Sequence, residues 1–233
     1  MHPLIRTARV TGLLYLGLAV SGGLGFLLVR SRLFVEGDPA ATLANLVAHE
    51  SLARTGVALE LLVVLTQALA AVWFHRLFRT AHEPAAAGIA AFGLVNAALI
   101  LVSAALLGAA VQLAGDPFGD AASGVQLLYL VSGGLWSAGG IFFGLWLIPM
   151  GWCVLRSGWM PRPLGWILMA GGVGYVLAAF LGYLTPGLAG AGDLLVVPAT
   201  VGELWMVGYL LVRGVRRPAL EPALEPGAGP AAA

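Results

Sequence analysis

The stretch LLVVPATVGELWMVGYLLV, Leu194 to Val212, carries a single carboxylate, Glu203, near its middle. Wound as a helix rising about 1.5 Å per residue, a run of this length crosses a hydrocarbon layer of ~30 Å. An acid at the centre of such a helix costs about 2.5–3.5 kcal/mol on insertion scales. The run therefore predicts a transmembrane helix, and its acid calls for an explanation.

Five more apolar runs precede it: about Thr7 to Val29, Leu52 to Phe74, Pro84 to Gln112, Gln126 to Leu155 and Leu164 to Leu184. The chain is 60% hydrophobic and 10% charged, against roughly 45–50% and 25% in a soluble domain. The expected fold is all-α: a six-helix transmembrane bundle with short loops and one interfacial helix after the first span. The first run lacks the small-residue cleavage site of a secretory leader and is kept as a span. Within residues 31–50, Asp38-Pro39 reads as an N-cap followed by proline in the first turn. Leu43, Leu46 and Val47 then share one face, which predicts a short helix lying at the membrane surface. Ser51 is the expected cap of the second span. The transmembrane domain is expected over 1–217 and a disordered tail over 218–233, where PALE occurs twice and large apolar residues are scarce.

Charge placement orients the chain. All twelve basic residues are Arg, a bias that with the Ala, Gly and Pro content points to a GC-rich bacterial genome. Arg6, Arg9, Arg76, Arg79, Arg156, Arg162, Arg213, Arg216 and Arg217 fall on one side of the bilayer. Arg30, Arg32 and Arg54 fall on the other, offset by Glu36, Asp38 and Glu50. The positive-inside rule then expects a multi-pass protein of the bacterial cytoplasmic membrane with both termini inside. A formal net charge of +1 with no basic face argues against a nucleic-acid partner.

The candidate site is a polar layer within the bundle. Glu60 and Glu203 each lie roughly 12–14 Å from the outer surface if their helices begin at Leu52 and Leu194. Asn96, about 18 Å from the inner side, joins them near the midplane, with Ser137 and Tyr175 close to that level and Gln67 on the face of Glu60. Two carboxylates there hold at least one proton between them, so a ligand- or proton-binding site fits. So does a simpler reading, in which the same groups are hydrogen-bonding glue between helices.

Other constellations are poorer. His75, His82 and Glu83 sit on a short turn without preorganised metal geometry. Cys153 is the single cysteine and reads as a small apolar filler. No buried histidine suits a haem, Ser137 has no histidine base at its depth, and no catalytic residue, metal or cofactor is implied. Small residues at Ser21, Gly22, Gly23 and Gly25, at Gly140 and Gly144, and at Gly174, Ala178 and Gly182 mark helix contacts.

The block FFGLWLIPMGWCVLRSGWMPRPLGWILMAGGVGYVL (Phe142 to Leu177), the motif GELWMVGYLLVRG (Gly202 to Gly214), the amino-terminal RTARVTGLLYL and the loop GDPAATLANL together resemble the domain of unknown function 4386 family of bacterial polytopic membrane proteins. The resemblance spans nearly everything before the tail. It implies a multi-span membrane protein, an acid at Glu203 within GELW and another at Glu60, and no particular activity or cofactor. The His or Asp that the family pattern places early in the fourth span is missing from Val131 to Ser137. Two functions stay open: a non-enzymatic bundle that binds a lipid-like or small apolar ligand, or a membrane partner including a second copy; and a proton-coupled small-molecule transporter using Glu60 and Glu203. The alignment of spans one to three on four to six leaves Glu60 without an acidic counterpart in the fifth, which weakens the second.

Overall fold

A computed structural model describes residues 3–185 and 189–216. The expected carboxy-terminal tail lies outside the described residues. All regular structure among the described residues is helical: α1 (Pro3–Gly23), a π-helical segment (Leu24–Arg30), α2 (Ser31–Leu33), α3 (Pro39–Ala48), α4 (Glu50–Phe78), α5 (Glu83–Gly115), α6 (Ala121–Ser157), α7 (Arg162–Leu184) and α8 (Ala189–Val212). Six of the resulting helices are long and apolar enough to cross a membrane, the first being α1 continued through the π segment and α2. The six expected spans are thus present, each a few residues longer than hydropathy marks it.

The local chemistry explains the boundaries. Asp38 accepts a hydrogen bond from the Ala41 amide at 2.9 Å and Pro39 opens α3, as expected. His82 and Asp120 cap α5 and α6 in the same way, accepting from Ala85 and Ser123. Gly158 ends α6 in the left-handed conformation, which costs glycine little and other residues more. Ser51 is not the cap of the second span. That helix starts two residues earlier, at Glu50 after His49, because only the non-helical backbone of His49 interrupts the path from α3 into α4.

The spans form a ring in chain order. The first packs on α4, α4 on α5, α5 on α6, α6 on α7, α7 on α8, and α8 returns to α1. Gly214 lies against Ile5 and Ala8, so both ends of the described chain meet at one end of the bundle. Small residues make the contacts tight. A Cβ on Gly174 would overlap the carbonyl oxygen of Leu195, and one on Gly144 would come within 2.5 Å of the Gly172 carbonyl. Not every residue of the stripe works so: Gly182 has open space where a Cβ would stand.

Aromatic rings fill the centre. Tyr15 of α1 meets Phe74 of α4 and Trp146 of α6 edge-on, with ring centroids 5.3 and 5.4 Å apart. At the end away from the termini, α3 packs on α6, tied down by Thr42, whose hydroxyl reaches the Gln126 amide oxygen at 2.9 Å, while the Gln126 amide donates to the Val35 carbonyl. The short helix expected at the membrane surface thus covers part of the bundle, burying Thr42 and Leu46.

Candidate functional site

The two central acids are bonded to different partners. The phenol of Tyr15 donates to the carboxylate of Glu203, joining α1 to α8. The indole N–H of Trp136 donates to Glu60 Oε1 at 3.1 Å, joining α6 to α4. Trp136 and Trp146, the second of which touches Tyr15, are ten residues apart on α6, about 15 Å of helix. The expected single layer is therefore split. Part of the reason lies in where the helices start: Glu203 lies fourteen residues after Ala189, about 21 Å along α8, whereas Glu60 lies ten after Glu50, about 15 Å along α4.

Around Glu60 the structure assembles a polar cluster that the sequence pattern does not announce. Arg30, expected among the loop charges beyond the first span, ends the π-helical segment and turns into the bundle. Its guanidinium donates to the Tyr129 carbonyl at 2.7 Å and to Ser132 Oγ at 3.0 Å. The rings of Phe26, Phe34 and Tyr129 surround it, each centroid within 5.9 Å of the guanidinium carbon. Such packing suits a guanidinium, whose flat, weakly hydrated face stacks on aromatic rings. Ser132 is shared with Ser103 of α5 at 2.9 Å, and Ser103 lies beside the Glu60 carboxylate. Glu60 and Arg30 attract one another electrostatically, but each spends its direct hydrogen bonds elsewhere. Between them lies a cavity of about 20 Å³, lined by both and by Gly25, Phe26, Gly56 and Tyr129.

The remaining expected site residues divide three ways. Asn96 and Tyr175 line a second cavity of about 110 Å³ between α5, α6 and α7, together with Ile100, Leu135, Trp136 and Phe143. Among the described residues the Asn96 side chain makes no hydrogen bond, although the residue is buried. Trp136 is common to both sites: its ring walls the larger cavity while its N–H holds Glu60. Gln67 is fully buried on α4, and both ends of its amide lack a hydrogen-bond partner among the described residues; it bonds neither acid. Ser137 points out of the bundle and returns its hydroxyl to the Gly133 carbonyl one turn back. It sits one position past Trp136, on the face away from Ser132, Trp136 and Gly139, and a lipid-facing serine satisfies itself in that way.

Tyr15, Arg30 and Trp136 are among the residues that sequence reasoning passed over. Tyr15 shares a face with the small or polar Ala8, Thr11 and Gly12, a stripe that marks the inward side of α1. For Arg30 the sequence holds no comparable signal, since a basic residue just beyond an apolar run ordinarily returns to the interface.

Residues 10–214 match the family described as "Domain of unknown function (DUF4386)". No curated protein and no solved structure matches the chain.

Proposed function

The chain belongs to the DUF4386 family, and we propose that it is a non-enzymatic membrane protein that binds a lipid-like or small apolar ligand in the cavity between α5, α6 and α7. One observation carries the reading. A space of about 110 Å³ is walled by aromatic and aliphatic side chains and holds one buried amide, Asn96, free of hydrogen bonds among the described residues. Apolar walls with a few polar groups are the ordinary make-up of a small-molecule site. A dry cavity of about 150 Å³ admits benzene, so this one suits a small ring or a section of an alkyl chain. Leu135, Trp136, Phe143 and Tyr175 are half-buried, which favours entry from the bilayer. The same reading has the six-span domain, residues 1–217, in a bacterial cytoplasmic membrane with both termini inside, a placement that the arginine distribution supports.

Gly140→Leu tests it. A Cβ there meets the Tyr175 ring at 3.8 Å, an ordinary contact, so the added isobutyl group occupies the cavity. Native mass spectrometry of gently extracted protein should show an adduct in the wild type that Gly140→Leu loses. A wild-type spectrum without any adduct that the variant removes refutes it. A proton-coupled carrier acting through Glu60 and Glu203 together would need a path between two separately bonded acids.

A further inference from the structure

The smaller cavity, between Arg30 and Glu60, has nothing to do with apolar cargo. Glu60 is 8% exposed, and its Oε2 atom has no hydrogen-bond partner among the described residues. Its other oxygen is taken by Trp136. A carboxylate oxygen accepts and, when ionised, never donates. On the opposite wall, the Arg30 guanidinium uses two of its five N–H donors on Tyr129 and Ser132. The lining of the cavity thus includes a carboxylate with an idle acceptor and a guanidinium with idle donors, which form no ion pair with one another among the described residues.

A group that completes both must donate to one side and accept from the other while fitting a space of about 20 Å³. That volume takes one oxygen-sized atom. An amine lacks the free lone pair for Arg30 once protonated, a carboxylate or halide cannot donate to Glu60, and a hydrocarbon satisfies neither. A hydroxyl does both. At bilayer depth the alternative is a polar oxygen with neither protein nor solvent to satisfy it.

We propose that the Arg30–Glu60 cavity is a hydroxyl-binding site that bridges the guanidinium and Glu60 Oε2 through one oxygen atom. The π-helical segment is what makes the site. Its wider turn carries Arg30 inward, and such segments occur preferentially at functional positions. The hydroxyl belongs either to an internal water or to the head of a membrane alcohol, and isotope labelling separates the two.

Infrared difference spectra of the full chain in lipid nanodiscs, wild type minus Glu60→Gln, should contain a hydrogen-bonded O–H stretch that also disappears in Arg30→Met. A shift of that band in water labelled with oxygen-18 assigns the hydroxyl to water. A band that stays put, with a matching adduct in the native mass spectrum that survives in Gly140→Leu, assigns it to an alcohol. Absence of any band common to the two differences overturns the proposal, and so does a common band that neither shifts with oxygen-18 nor comes with such an adduct, since it then belongs to the Ser103 or Ser132 hydroxyl beside these groups. Arg30→Lys guards against misfolding: it keeps the charge and a donor, and should retain the band at a shifted frequency. Since Gly140 lines the other cavity, the two binding readings succeed or fail separately.

Discussion

Removing a single oxygen, in Tyr15→Phe, tests whether Glu203 is a helix tie. The phenol donates to a carboxylate at the α1–α8 contact, while the ring meets Phe74 and Trp146 edge-on. Phenylalanine keeps both ring contacts and loses the bond alone. In water-soluble proteins a hydrogen bond to a charged group contributes about 1.5–3 kcal/mol. Between transmembrane helices the average falls to about 0.6 and the maximum to about 1.7, because helices apart in the bilayer find other partners. Glu203 has no second hydrogen-bond partner among the described residues, which places the bond at the upper end, about 1–1.7 kcal/mol. Tyr15→Leu should lose a further ~1–3 kcal/mol, from two ring pairs at about 0.5–1.5 each. The assay is reversible unfolding in mixed micelles followed by circular dichroism, with Glu203→Leu completing a double-mutant cycle. Tyr15→Phe within about 0.5 kcal/mol of wild type and additive with Glu203→Leu would mean that the contact ties nothing.

Three further outcomes follow from the packing and the caps. Gly174→Ala should part α7 from α8, costing about 1–3 kcal/mol, since the obstacle is backbone and cannot rotate away; Gly182→Ala, with open space around it, should be neutral or mildly stabilising. Thr42→Val should loosen α3 from α6, read as faster amide exchange across Pro39–Ala48 with little change in α5. At Asp120, outside the spans, the Ser123 hydroxyl and then its backbone N–H hold the carboxyl below the ordinary carboxylate range. A depressed folded value contributes stability in full above that range and loses it as pH falls through the depressed value. Protection in the first turn of α6, taken relative to the intrinsic exchange rate at each pH, should therefore fall on acidification, and Asp120→Asn, which keeps the cap, should abolish that fall.

What the sequence makes legible, and what it hides, divides along the range of the forces involved. Hydrophobicity is local, so six spans, the Asp38-Pro39 helix start and the glycine contacts near Gly144 and Gly174 are readable from the residues themselves. Depth is nearly so, but it inherits every error in a helix start: beginning α8 at Leu194 instead of Ala189 moves Glu203 by about 7 Å. Which acid meets which donor depends on ring order and helix rotation, and nothing near Glu60 in the sequence specifies Trp136. Arg30 was hidden for a different reason. Its placement depends on a departure from α-helical winding, and the rule that reads flanking arginines as interfacial assumes regular winding throughout.

The closing of the ring between its first and last members has a consequence for biogenesis. Tyr15 and Glu203 are 188 positions apart in the chain, so at about 5–20 residues per second the phenol waits roughly 10–40 s before its acid is even synthesised. Until then the first helix has one flank uncovered, and any truncated or stalled product exposes that flank to whatever insertion factor or neighbouring protein lies beside it. Quality control of this chain thus has a natural checkpoint in the arrival of its final helix.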